Sequence, residues 1–170
     1  TIRAIRTVRP DCRIELLIPD LAGSMQALDI VLNAGPDVLN HNVETVPHLY
    51  PLIRPSADWN RSLEILRHAA RKGFLTKSGF MMGLGESRRE LTAALTQIAA
   101  AGVHILTIGQ YLAPTREHHP VERYVPPEEF EDLRAEAQSL GFRFVIAGPL
   151  VRSSFKAEEA WRECLTESPA

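Results

Sequence analysis

The sequence predicts an α/β fold built on a parallel sheet, and three observations predict it. Apolar runs rich in β-branched residues recur at 14–18, 38–39, 80–82, 105–108 and 142–146, as strands buried in a sheet do. Amphipathic segments with helical spacing separate them: Leu28, Val31 and Leu32; Leu63, Leu66 and Ala70; Leu91, Leu95 and Ile98; Phe130, Leu133, Ala137 and Leu140. Gly35, Gly73, Gly102 and Gly141 each follow a helical segment and precede a strand, where the chain needs a left-handed residue to leave the helix.

In order, the chain opens on a helical pattern of Ile2, Ile5 and Arg6. It begins with Thr1 rather than Met and without a signal-like segment, as a truncated sequence would. The strand at 14–18 ends at Pro19 and Asp20, and Ser24 is placed to N-cap the next helix. The strand at 38–39 runs into the polar segment 40–44. After the helix closed by Gly73, residues 76–79 (TKSG) read as a lead-in to the strand at 80–82. Ser87 and Glu90 form a capping box for the following helix. The longest irregular stretch is 112–125, and Pro126, Pro127, Glu128 and Glu129 then start a helix. An acidic, Ala-rich run at 156–161 supplies the last one. Strands joined through helices pair in parallel with right-handed crossovers, giving an open doubly wound sheet or a barrel. In both, chemistry gathers at the C-terminal strand ends.

Length and composition set the remaining bounds. With 170 residues, 45% hydrophobic and 24% charged, the chain buries a core as one domain. A net charge of −2 and a pI near 6.3 give no basic footprint for nucleic acid. No apolar run approaches the roughly 20 residues that span a bilayer. Cys12 and Cys164 stand at opposite ends without metal-ligand spacing.

The strand ends hold the candidate sites. Asn40, His41, Asn42 and Glu44 place four hydrogen-bonding groups within five positions, which suits a hydroxyl-rich or amide-rich ligand and equally suits an Asx-turn facing solvent. The glycines at 79–86 permit close backbone approach, but neither dinucleotide nor P-loop spacing is present. Arg116, His118, His119 and Arg123 on the 112–125 loop suit a lid or docking loop better than a metal site, because adjacent histidines seldom reach one ion. Ser153 and Ser154, taken alone, read as a helix N-cap, since no Asp–His partner pattern makes either a nucleophile.

Read together, these segments resemble a known family. Residues 79–86 (GFMMGLGE) resemble the G-x-I-x-G-x-x-E pattern on the fifth strand of radical SAM enzymes, with Met81 in the Ile place. Residues 36–47 (PDVLNHNVETVP), 76–79 (TKSG), 106–112 (LTIGQYL) and 148–155 (GPLVRSSF) together resemble lipoyl synthases, in order and without gaps from Thr1 to about Ala157. The resemblance implies a partial parallel (β/α) barrel truncated at its N-terminus, its first two strands missing. Residues 1–170 are then the C-terminal part of one barrel domain, with 142–170 an extension carrying the Arg-Ser-Ser-Phe motif.

It also implies the activity of the family. Lipoyl synthases use S-adenosylmethionine and two 4Fe-4S clusters to insert sulfur at C6 and C8 of an octanoyl chain on a lipoyl carrier domain or glycine cleavage H protein. One cluster generates the radical and the auxiliary one donates sulfur. Carried over by position, Asn40, Asn42, Glu44, Lys77 and Ser78 become contacts to the ribose hydroxyls and methionyl carboxylate, and Glu86, Gln110 and Leu112 shape the adenine side or rim. Ser153, with Ser154 as second choice, becomes the oxygen ligand of the auxiliary cluster, a hard ligand that iron releases more readily than thiolate. Phe155 departs from the family's Tyr. The family's cysteine motifs, C-x4-C-x5-C and C-x3-C-x2-C, have no counterpart here, so no catalytic set is complete and the chain alone is expected to be inactive, the missing half being its partner. The compartment implied is the cytoplasm for a bacterial source and the mitochondrion or plastid otherwise. Two other readings share these loops: a non-radical barrel enzyme, and a non-catalytic module that binds a lipoyl carrier through 112–125.

Overall fold

The computed structural model describes residues 1–166. Helix α1 (Ile2–Val8) precedes strand β1 (Glu15–Leu17), and α2 (Met25–Leu32) leads to β2 (Val38–Asn40). A short helix α3 (Tyr50–Ile53) and the longer α4 (Trp59–Arg71) lie before β3 (Leu75–Met82). Then come α5 (Arg88–Ala100), β4 (Ile105–Gln110), α6 (Pro127–Ser139), β5 (Phe144–Gly148) and α7 (Ala157–Thr166). All neighbouring strands pair in parallel in the order β1-β2-β3-β4-β5. An order that never reverses is the winding of a barrel wall rather than of a doubly wound sheet.

The expected punctuation is present. Gly35, Gly73, Gly102 and Gly141 have φ of 77, 83, 81 and 94°. Ser24 accepts from Ala27 N, and the Ser87–Glu90 capping box closes in both directions. Residues 76–79 differ from expectation: they lie inside β3, not ahead of it. Their polarity suits one face of a strand, because the period of two sends Lys77 to the concave side with Leu75, Gly79 and Met81, and Thr76, Ser78, Phe80 and Met82 to the other. Ser153 and Ser154 do not cap α7, which begins at Ala157, three residues after Ser154; both serines sit in a separate turn at 153–156.

The two faces differ in chemistry. Outward residues Phe80, Met82, Leu106, Ile108 and Val145 join α4, α5 and α6 in the main core, and Ile18 and Leu39 join α2 and α4 in a second. The lower concave face packs Val38, Ile105 and Phe144 against Ala160 and Cys164 of α7. Above that plug the concave face turns polar. Of residues 142–170, those at 167–170 lie outside the described residues. No helix among the described residues is long and apolar enough to cross a membrane.

Candidate functional site

Beyond β2 the chain swings across the top of β3. Glu44 adopts a left-handed φ of 66°, unfavourable for a residue with a Cβ. It is held there by a single parallel bridge to Phe80: Glu44 N donates to Gly79 O (3.0 Å) and Met81 N donates to Glu44 O (2.8 Å). Arg54 braces the loop from outside, donating to Asn42 O and Val43 O at 3.2 Å each, and Tyr50 Oη donates to Val43 O at 2.8 Å. Asn42 fills the space over Gly79, where a Cβ would come within 2.6 Å of Oδ1.

Four separate stretches then enclose one cavity of about 190 Å³: Asn42 and Glu44, residues 79–81, residues 107–112, and residues 151–153. Gly109 lets the last of these approach, because a Cβ there would lie 2.3 Å from Val151 O. Ser153 borders the cavity, whereas Ser154 and Phe155 are exposed and do not line it. A second cavity of about 300 Å³ shares Asn42 and Glu44 as its wall and adds Leu17, His41 and Arg54.

Asn40, Lys77 and Glu15 form a polar row on the concave face, and none of the three lines either cavity. Asn40 Nδ2 donates to Glu15 Oε1 (2.8 Å) and Lys77 Nζ to Glu15 Oε2 (2.9 Å). Lys77 is fully buried. His41 Nδ1 lies 3.0 Å from Ile18 O, so that nitrogen carries the proton and Nε2 is the acceptor. Burial holds the His41 pKa below its ordinary value and keeps the ring neutral. Asn40 Oδ1, His41 Nε2 and Asn42 Oδ1 are buried without a donor.

Glu44 is the titratable group at this wall. Burial raises its pKa above 4.5, opposed by the Asn42 hydrogen bond and the Arg54 charge. A raised folded-state pKa means stability that is full below the unfolded value and is lost as pH rises through the folded one. Glu44→Gln is therefore expected to remove part of the stability decline above pH 4.5. Urea midpoints from pH 4 to 7 should converge with the parent's at the acid end, and a constant offset across the range would sink the assignment.

Other expected contacts have different duties. Ser78 faces the outer side and accepts from Val43 N at 3.3 Å. Glu86 accepts from Gly83 N (2.7 Å) and Leu84 N (2.9 Å), tying the turn after β3. The Gln110 amide donates to Tyr111 O and Arg123 O and accepts from Val125 N, pinning the 112–125 loop. In that loop Arg123 makes a two-pronged pair with Glu129, His118 Nδ1 meets Thr115 Oγ1, and His119 Nε2 meets Leu84 O. Leu112 is half-exposed on the cavity rim. Gly109 and Val151 line the first cavity and lie in the segments 106–112 and 148–155 quoted for the resemblance, which gave neither a role; Arg54, on the second cavity, was not anticipated. Glu15, which pairs with Lys77 beneath the cavities, was also not anticipated, although it is the one polar residue in the run 14–18.

A parallel barrel wall with its polar concave face at the C-terminal strand ends is the architecture of radical SAM enzymes. The Radical SAM superfamily profile matches residues 1–98, and the chain belongs to that superfamily. Its curated relatives include lipoyl synthases: 49% identity over 94% of this chain and 53% of the Leptospira interrogans protein, and 54% identity over 92% of this chain and 56% of the Chlorobium phaeovibrioides protein. The chain thus spans about half the length of the relatives it matches. Among solved structures, methylornithine synthase superposes with a TM-score of 0.64 at 14% identity over 99% of this chain and 62% of its own. A cobalamin- and 4Fe-4S-bound radical S-adenosylmethionine methyltransferase from Kitasatospora setae gives 0.58 at 12% identity over 98% and 48%. These two share the fold.

Proposed function

We propose that this chain forms one wall of the S-adenosylmethionine pocket of a lipoyl synthase, which inserts sulfur at C6 and C8 of an octanoyl chain carried by a lipoyl domain or H protein. The observation that carries the reading is convergence. The four segments that resemble lipoyl synthases are separated by up to about 110 residues, yet each contributes to the wall of one cavity or to the polar row beneath it. A volume near 190 Å³ is below the roughly 300–1,000 Å³ that encloses a whole small molecule, as befits one side of a larger pocket.

The residues fit S-adenosylmethionine and do not fit a complete cluster site. An amide and a carboxylate on the cavity wall, Asn42 and Glu44, suit a ligand with ribose hydroxyls and an ammonium group. Cys12 is exposed before β1 and Cys164 is buried in α7. Among the described residues no group of three or more His, Cys, Asp or Glu could hold a metal. When bound, S-adenosylmethionine and the clusters supply the radical and sulfur chemistry. The chain's own residues bind and orient: Asn42 and Glu44 offer acceptors, Met81, Leu112 and Val151 shield the cavity from water, and Ser153 presents its hydroxyl at the rim.

The test is a chimera in which the 159 matched residues replace those of the Leptospira interrogans lipoyl synthase. Incubated with octanoylated carrier after cluster reconstitution, it is expected to yield lipoylated carrier by mass spectrometry. A folded chimera with intact cluster absorbance and only octanoylated product would refute the reading. The 170-residue chain alone, given iron and sulfide, is expected to form no stoichiometric cluster.

A further inference from the structure

Ser153 sits in the span 149–156, between the end of β5 at Gly148 and the start of α7 at Ala157. Among the described residues, every hydrogen bond of this span stays inside it or goes to its two flanks. Val151 N donates to Gly148 O (3.1 Å), Phe155 N to Arg152 O (2.9 Å), the Arg152 guanidinium to Val151 O (2.7 Å), and Ala160 N of α7 to Lys156 O (3.0 Å). Lys156 Nζ pairs with Glu159, also in α7. Apart from the Val151 carbonyl resting over Gly109, the span is held by its ends.

The far end is α7, and its seat is small and loosely packed. Ala160 and Cys164 lie against Val38, Ile105 and Phe144. The Arg13 guanidinium stacks on the Trp161 ring at 4.6 Å, and Arg143 reaches Cys164 O at 3.4 Å. Two cavities border the helix, one of about 500 Å³ toward Ile14 and Glu15 and one of about 600 Å³ toward Phe74 and His104, with Trp161 in the wall of both. A side chain facing open space forfeits dispersion contacts that a closed core supplies. The junction is strained as well: Lys156 holds a left-handed φ of 51°, which is unfavourable for a residue with a Cβ and persists only where surrounding contacts impose it. A sparsely packed helix joined through a strained residue belongs to the part of a fold that opens first.

We propose that α7 is a detachable strap. Seated on the concave floor, it holds the 149–156 turn across the top of β4 and keeps Ser153 at the cavity. Lifted off the floor, it releases the turn and opens the cavity wall that residues 151–153 form. The strap depends on no particular ligand and stands apart from the S-adenosylmethionine reading.

Seat and turn can be read separately in the 170-residue chain. Alkylation of Cys164, buried in the seat, reports undocking of α7, with exposed Cys12 as the internal reference. Trypsin cleavage after Arg152 and Lys156, both exposed in the turn, reports the turn, because a protease acts on a segment free to leave the surface. Trp161→Ala removes the ring beside Arg13, and Ala160→Asp puts a charge into the apolar seat. Each is expected to speed Cys164 alkylation and cleavage after Arg152 together, by about tenfold or more, while the urea midpoint of the main transition stays close to the parent's. Faster alkylation of Cys164 with cleavage in the turn at the parental rate overturns the proposal, because Gly109 alone then holds the turn. Parental alkylation of Cys164 in both variants overturns it too, as does loss of the whole fold in both, which would make α7 part of the core. If Ala160→Asp alone unfolds the chain, Trp161→Ala decides.

Discussion

Replacing Gly109 with alanine is expected to dislodge the turn that carries Ser153 and to cost about 1–3 kcal/mol, the range for forcing extra volume into a closed site. The added Cβ would sit 2.3 Å from Val151 O and 3.3 Å from Val151 C. A backbone carbonyl cannot rotate away as a side chain can, so the clash is relieved only by lifting residues 149–153 off β4. That turn is fastened by little else: Val151 N donates to Gly148 O at 3.1 Å, and the Arg152 guanidinium folds back onto Val151 O. Gly148→Ala is the matched control on the neighbouring strand, where the new Cβ meets Val151 Cγ2 at an ordinary 3.5 Å. Urea unfolding should show a clear loss for Gly109→Ala and little for Gly148→Ala. Faster proteolytic nicking at 149–156 should accompany the loss. Equal midpoints for the two variants would refute this account of how Ser153 is placed.

The same contrast between local and long-range causes explains what was legible in the sequence. Helix ends were readable because their causes lie within a few residues: a left-handed glycine after a helix, a serine three residues before a glutamate. Parallel pairing followed from the helix between each pair of strands, whereas the choice of a barrel wall over a doubly wound sheet came from the resemblance. Residues 76–79 were misplaced because Lys77 reads as turn chemistry until Glu15, 62 positions away, is seen to neutralise it. Ser78, Glu86 and Gln110 were drawn to the site by motif membership, yet each bonds backbone that shapes the loops around it. Arg54 was invisible, and Val151 drew no role although its segment was quoted, for a related reason: one acts by donating to carbonyls and the other through its own carbonyl, and backbone contacts leave no pattern in side-chain identity.

The buried ion pair should reveal itself through an asymmetry between its two halves. Glu15→Met leaves the Lys77 ammonium with no partner and no solvent, since its side chain is 0% exposed. Lys77→Met leaves the Glu15 carboxylate 21% exposed, so it keeps contact with water and still accepts from Asn40 Nδ2. Stranding one member of a buried pair typically costs about 3–5 kcal/mol, whereas replacing both by apolar residues is often neutral. Glu15→Met is therefore expected near that range, Lys77→Met well below it, and Glu15→Met/Lys77→Met closer to the parent than Glu15→Met alone. Urea denaturation of all four proteins gives the coupling directly. Equal losses in the two single variants, or a double variant as unstable as their sum, would mean that Lys77 is not sealed from water.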